Sequence, residues 1–238
     1  MDVFADPANQ AAYLAGFRLI LGLTGASAVI SLVLGTILAA LRVSPIPVLR
    51  ALGPGWVHIF RNTALTLVIF FAYFGLFVNL GVALSDDLNN NNFWLGVTGL
   101  SVYTAAFVCE AIRSGINTVP VGQAEAARAI GLSFLQTLRL IVLPQAIRAV
   151  IAPLGSVFIA LTKNSTIVGT IGVLEAASVM KQLINDNGDA VIQIFLVFAG
   201  TFVLILVPAG YGWRWSRSST SASRQRSESG NSQRACSA

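Results

Sequence analysis

The stretch FRLILGLTGASAVISLVLGTILAAL, residues 17–41, is apolar apart from Arg18 near its start. A helix rises 1.5 Å per residue, so a bilayer core of about 30 Å takes roughly 20 residues per crossing. The stretch is therefore long enough to span a membrane with some tilt. Arg42 and the pair Pro45 and Pro47 close it. Comparable runs follow at Thr63–Leu84, Phe93–Ile112 and Ala190–Trp213. A weaker one covers Ala149–Leu161, contains Pro153, and leads through Thr162, Lys163, Asn164, Ser165 and Thr166 into Ile167–Leu174. Counting that interrupted stretch as one crossing gives an all-α polytopic membrane protein with five transmembrane helices.

Composition agrees. The 238 residues are 55% hydrophobic and 11% charged, with a mean hydropathy of +0.74, whereas soluble domains carry about 25% charged residues. Five spans and short loops use up the chain, leaving no room for an ATPase or a solute-binding domain. Residues 1–15 read as an extracytoplasmic segment: they hold Asp2 and Asp6 but no Lys or Arg, unlike the positive start of a cleavable signal. The transmembrane domain covers 16–215, with an inner loop at about 113–148. The Ser- and Arg-rich tail, 216–238, has the composition of a disordered cytoplasmic segment.

Charge sets the orientation. With the N-terminus outside and the C-terminus in the cytoplasm, 12 of the 15 Lys and Arg residues fall on inner segments, leaving Arg18, Lys163 and Lys181 outside. Trp56, Trp94, Trp213 and Trp215 all fall at span ends, where amphipathic rings settle. The net charge of +5 is thus the signature of membrane topology and not of nucleic-acid binding.

The chemistry is limited too. Cys109 lies in an apolar run and Cys236 in the tail, and His58 is the only histidine, so neither a metal cluster nor a Ser-His-Asp triad is expected.

The inner loop carries the most information. Gln123–Ile130 is a short helix of strong helix formers with Gly131 where a left-handed helix end is cheapest. Its alanine-rich surface lets another backbone approach, and a helix this short needs a docking partner. On these grounds alone, an ordinary surface helix is an equal reading. Glu110 and Arg113, three apart at the inner end of the third span, are close enough to pair along one helix face; a pair that anchors the loop is favoured over a substrate ligand.

The sequence Glu125-Ala126-Ala127, then Gly131, then Leu143-Pro144 resembles the cytoplasmic signature loop of ABC importer permeases. Glu110, Arg113, Gly115, Gly122 and Gln123 are similar to the polar amino acid branch (His, Glu, Gln, Arg and opine). The phrases Leu41-Arg42-Val43-Ser44-Pro45, Arg61-Asn62-Thr63, Arg113–Val119, Gly122–Arg128 and Ala160–Asn164 look closest to actinobacterial glutamate permease subunits. The resemblance covers about Gly16–Trp213. It departs at Ala64, where the family usually has proline, and at Asn62, where glycine is commoner.

The resemblance implies a type I importer fold and a non-catalytic subunit taking up a polar amino acid, glutamate first among the candidates. Gln123, Glu125, Ala126, Ala127 and Gly131 would contact a cytoplasmic ATPase dimer. That partner binds ATP and Mg²⁺; this subunit needs no metal or cofactor. A second permease, identical or related, and an extracytoplasmic solute-binding protein complete the assembly in the cell membrane. Five spans enclose a path poorly, which also favours pairing around a twofold axis.

Two polar clusters are candidates for the substrate path. Thr162, Lys163, Asn164, Ser165 and Thr166 interrupt an apolar segment, the pattern that marks midplane sites in transporters. The alternative is an outer turn with a solvated lysine. Arg61, Asn62 and Thr63 form the other cluster, with a basic anchor and a helix cap as the plainer reading. A stand-alone ion-coupled transporter or channel is the competing function, disfavoured by the few intramembrane acids and by the lack of a visible inverted repeat. A membrane enzyme is disfavoured by the missing catalytic clusters.

Overall fold

The computed structural model describes residues 3–42 and 46–207. Trp213, Trp215 and the polar tail at 216–238 lie outside the described residues. Helix α1 (Pro7–Arg42) starts well before the apolar run, because Asp6 accepts a hydrogen bond from the Ala8 amide and Pro7 suits a first turn. Residues 7–15 are therefore helical. Tyr13 and Phe17 rest against Phe198 with ring centres 5.0 and 5.7 Å away.

Helix α2 (Pro47–Asn62) was not visible as an apolar run. It buries Gly53 and Val57, and Val57 joins a cluster with Leu38, Ala39, Ala105, Ala106 and Cys109. Helix α3 (Leu65–Phe70), continued as π-helix through Phe71–Asn79, leaves α2 at 105°. This second crossing ends short of the expected Leu84, since the chain turns at Gly81 with φ +66°.

Helix α4 (Leu88–Ile116) starts earlier than its apolar run, capped by the Asp87 carboxylate on the Asn90 amide at 3.0 Å. Asn91 and Asn92 are thereby drawn inside the bundle. Asn91 accepts from the Leu84 amide at 2.7 Å, and Asn92 donates to the Ile171 carbonyl at 3.0 Å. Helix α4 is the central post, and close contacts at small residues hold its neighbours on it. Val108 lies on Gly35, Val168 on Gly96 and Val150 on Gly115, with no space for a methyl group at any of the three.

The inner loop is shorter than its sequence suggested. Helices α5 (Val121–Ala129) and α6 (Phe134–Thr137) are followed by a π-turn at Leu138–Val142 and then by α7 (Leu143–Asn164). The fourth crossing thus runs over Leu138–Ile171 instead of starting at Ala149. Nor does the polar stretch break it: the helix continues through Asn164 and only tightens to 3-10 winding at Ser165–Ile171. The hydroxyls of Thr162, Ser165 and Thr166 donate to the carbonyls of Phe158, Thr162 and Lys163 at 3.0, 2.8 and 2.8 Å, so the segment stays self-satisfied.

Helix α8 (Ala176–Asp186) is capped by buried Glu175, which accepts from the amides of Ala177 and Ser178. A 3-10 turn at Gly188–Ala190 leads into α9 over residues 191–207. Among the described residues, four helical stretches are long and apolar enough to cross a membrane: Pro7–Arg42, Leu88–Ile116, Leu138–Ile171 and Gly188–Val207. The bent pair of α2 with α3 and its π-helical continuation passes the same length and composition test when taken together, which gives five if it counts as one span.

Candidate functional site

Helix α5 spans nine residues and follows Pro120. Gly131 has φ +92°, its amide reaches the Arg128 carbonyl at 3.0 Å, and the Leu132 amide reaches Ala127 at 3.1 Å. This is the left-handed helix end expected from the glycine. A Cβ added there would meet nothing within 4 Å, so backbone conformation alone favours glycine.

The candidate coupling residues divide by exposure. Glu125, Ala126 and Gly131 are exposed, whereas Ala127 is 3% exposed and turned onto its own chain. The Gln123 side-chain oxygen Oε1 accepts a hydrogen bond from Gln145 Nε2 at 2.8 Å, which ties α5 to the first turn of α7. Ile130 was not singled out from sequence; it is 81% exposed at the end of α5, its amide on the Ala126 carbonyl at 3.2 Å.

At the same end of the bundle, Glu110 forms the expected pair with Arg113, whose Nε and Nη2 donate to Oε2 at 3.2 and 3.1 Å. Arg42 of α1 donates to the other oxygen, Oε1. The carboxylate thus staples α1 to α4. With three hydrogen bonds from two guanidinium groups, it anchors helices.

The two polar clusters meet different fates. Asn62 and Thr63 bond back to the carbonyls of His58 and Ile59 at 2.7 and 2.8 Å, and so finish α2 instead of starting the next helix. In the other cluster, Thr162 and Thr166 spend their hydroxyl protons on their own helix, and Ser165 is buried facing Thr24 at 3.5 Å. The Lys163 side chain is exposed and forms no ion pair among the described residues.

Asn164 lines a cavity of about 340 Å³ between α4 and α7. Tyr103, Thr104 and Phe107 form one wall, and Ser156, Val157, Ala160 and Leu161 the other. That volume is at the lower end of the range for small-molecule sites, about 300–1,000 Å³. The Arg61 guanidinium stands over the Phe107 ring, 6.0 Å from its centre. One aromatic ring therefore connects the two clusters. Tyr103, Thr104 and Ser156 were missed because each sits inside an apolar run. The repeat Ser156, Ala160, Asn164 marks one helix face once the segment is known to be continuous.

The profile of the family "Binding-protein-dependent transport system inner membrane component" matches residues 19–211. The glutamate transport system permease protein GluC of Corynebacterium efficiens is 49% identical over 202 residues, covering 83% of this chain and 89% of that protein. The probable glutamine ABC transporter permease protein GlnM of Bacillus subtilis is 38% identical over 178 residues, covering 75% and 79%. The crystal structure of an amino acid ABC transporter with histidines superposes with a TM-score of 0.81 at 24% identity, covering 91% of this chain and 98% of that one. An inward-facing MetNI methionine ABC transporter does so with a TM-score of 0.65 at 18% identity, covering 89% and 99%. These two likenesses give the fold, that of an ABC importer permease. The chain belongs to the family of binding-protein-dependent transport system inner membrane components.

Proposed function

We propose that this chain is the non-catalytic permease subunit of an ATP-driven importer of glutamate. The observation that carries the substrate class is the cavity between α4 and α7. No carboxylate is among its lining residues, it presents Asn164 and three hydroxyl-bearing side chains, and Phe107 in its wall carries the Arg61 guanidinium. Such a site favours the two carboxylates of a dicarboxylic amino acid, while Asn164 and the hydroxyl oxygens can accept hydrogen bonds from its ammonium group. The relation to GluC supports glutamate within that class.

Helix α5 is the contact for a cytoplasmic ATPase dimer. Exposed Glu125, Ala126 and Ile130 face that partner, Gly131 ends the helix, and Gln123 and Ala127 hold it on the bundle. ATP and Mg²⁺ bind to the ATPase. The N-terminus lies outside and α5 inside, so the arginines at the α5 end face the cytoplasm. A second permease, identical or related, completes the path around a twofold axis, and an extracytoplasmic binding protein delivers the solute.

The test is uptake of labelled glutamate by the reconstituted complex, with unlabelled amino acids as competitors. Glutamate and aspartate should compete, and arginine should not. Competition by arginine with no effect of glutamate would overturn the substrate assignment.

A further inference from the structure

We infer that the polar face of α2 forms a second carboxylate site, inward of the cavity, in which His58 and Arg61 receive the solute on its way to the cytoplasm. This rests on the glutamate importer reading and goes further, assigning a residue and a groove that the reading does not use.

Helix α2 reaches deep into the bundle. Trp56 Nε1 donates to the carbonyl of Val102, near the middle of α4, at 3.3 Å. Phe107, under the Arg61 guanidinium, is nine residues short of the inner end of α4 at Ile116, roughly 13 Å of helix rise. His58, Arg61 and Asn62 are nonetheless exposed. A guanidinium at that depth is costly against lipid tails and faces water or protein instead.

The exposed surface of α2 separates into two stripes at helical spacing. Val48, Leu52 and Ile59 form an apolar one, 71, 52 and 60% exposed, which suits lipid. Pro54, His58, Arg61 and Asn62 form the other, and with Gly55 and Val57 they line an open groove of about 690 Å³. Gly53, just before the groove, lies against the side chain of Arg42, the last residue of α1. The groove therefore leads from the level of Phe107 towards the inner end of the bundle.

Its chemistry suits an anion. Asn62 Nδ2 donates to the His58 carbonyl at 2.7 Å and meets His58 Nδ1 at 3.3 Å. An acceptor at Nδ1 leaves the ring proton on Nε2, which has no partner among the described residues. Three residues on, Arg61 forms no ion pair among the described residues, and no Asp or Glu lines the groove. Two donors at this helical spacing can share one carboxylate. Arg61 lines the groove and also covers Phe107, whose ring is a wall of the cavity. A carboxylate can thus pass from cavity to groove without leaving the guanidinium.

Gly55 suits a reporter, because a side chain there meets nothing within 4 Å. Gly55→Cys is combined with Cys236→Ser, leaving the fully buried Cys109 in place, and Ile59→Cys is its counterpart on the apolar stripe. Pro54→Cys, on the same groove, replaces Gly55→Cys if that variant fails to assemble. The complete complex in lipid nanodiscs is treated with 2-sulfonatoethyl methanethiosulfonate, and labelling of this chain is followed by mass spectrometry. The groove cysteine should label and Ile59→Cys should resist. Glutamate at about ten times its half-protecting concentration should slow the labelling about tenfold. His58→Ala should raise that half-protecting concentration about tenfold, the scale of one hydrogen bond to a charged group, and His58→Gln, which keeps an N–H donor, should hold it within about twofold. No labelling in the groove, equal labelling on both stripes, a rate indifferent to glutamate, or protection unchanged by His58→Ala would each overturn the site. Absence of ATP-driven glutamate uptake in the parent complex would instead refute the importer reading beneath it.

Discussion

The guanidinium of Arg61 stands 6.0 Å from the centre of the Phe107 ring, and the same ring is a wall of the cavity that holds Asn164. A residue from the end of α2 thus places a fixed positive charge beside a site built by α4 and α7. If that charge attracts the substrate carboxylate, Arg61→Ala should raise the glutamate concentration for half-maximal uptake about tenfold, the scale of one charge-assisted hydrogen bond. Arg61→Lys should fall between, keeping the charge but losing the flat stacking on Phe107. Equal concentration dependence in all three proteins would remove Arg61 from the path.

Glu110 joins Arg42 to Arg113 while only 22% of its side chain is exposed, and Arg42 is 13% exposed. Removing the carboxylate leaves a guanidinium nearly enclosed and unpaired. Glu110→Ala should therefore lower thermal stability in detergent by about 2 kcal/mol, below the usual cost of breaking a fully buried pair because water still reaches this one. Adding Arg42→Met should recover part of the loss. A Glu110→Ala protein melting with the parent would show that the staple adds nothing.

Burial raises the Glu175 carboxyl above its ordinary value of 4.5, only partly opposed by the amides of Ala177 and Ser178 and the Ser178 hydroxyl. A raised folded-state value means the folded protein binds the proton more tightly than the unfolded chain. The stability from this group is complete below the ordinary carboxylate range and is lost as pH rises through the raised value. Over that window the parent should lose melting temperature relative to Glu175→Gln. Parallel melting curves against pH would contradict the shift.

Gly131 is held at φ +92° with open space around it, so a side chain there meets only backbone strain. Gly131→Asp adds that strain, about 1–2 kcal/mol, and places a negative charge at a helix C-terminus, where it is unfavourable. Transport should be lost while membrane insertion is unchanged. Ile130→Asp, which leaves the helix end intact, should likewise weaken co-purification with the ATPase. Substrate-stimulated ATP hydrolysis surviving both changes would refute the docking face.

The spans were legible where apolar residues run unbroken, as at 17–41, and less so where polar residues are absorbed locally. Arg50, His58 and Arg61 hid α2, whose buried face is only Gly53 and Val57 with half-buried Trp56 and Phe60 around them. Thr162–Thr166 looked like a break because hydropathy counts hydroxyls as polar, although their hydrogen bonds close on the preceding turn. Gly131 was readable from its place after a helix, since one residue type dominates left-handed ends. Arg42 binding Glu110, and Tyr103 facing Ser156, depend on which helices become neighbours, and no local pattern states that.

The central claim is that this bundle moves solute only when an ATPase grips α5. Labelled glutamate uptake should be measured in vesicles holding the purified chain alone and in vesicles holding the full complex, each with and without ATP and binding protein. Uptake confined to the full complex with ATP and binding protein is the predicted result, and uptake by the chain alone would contradict it.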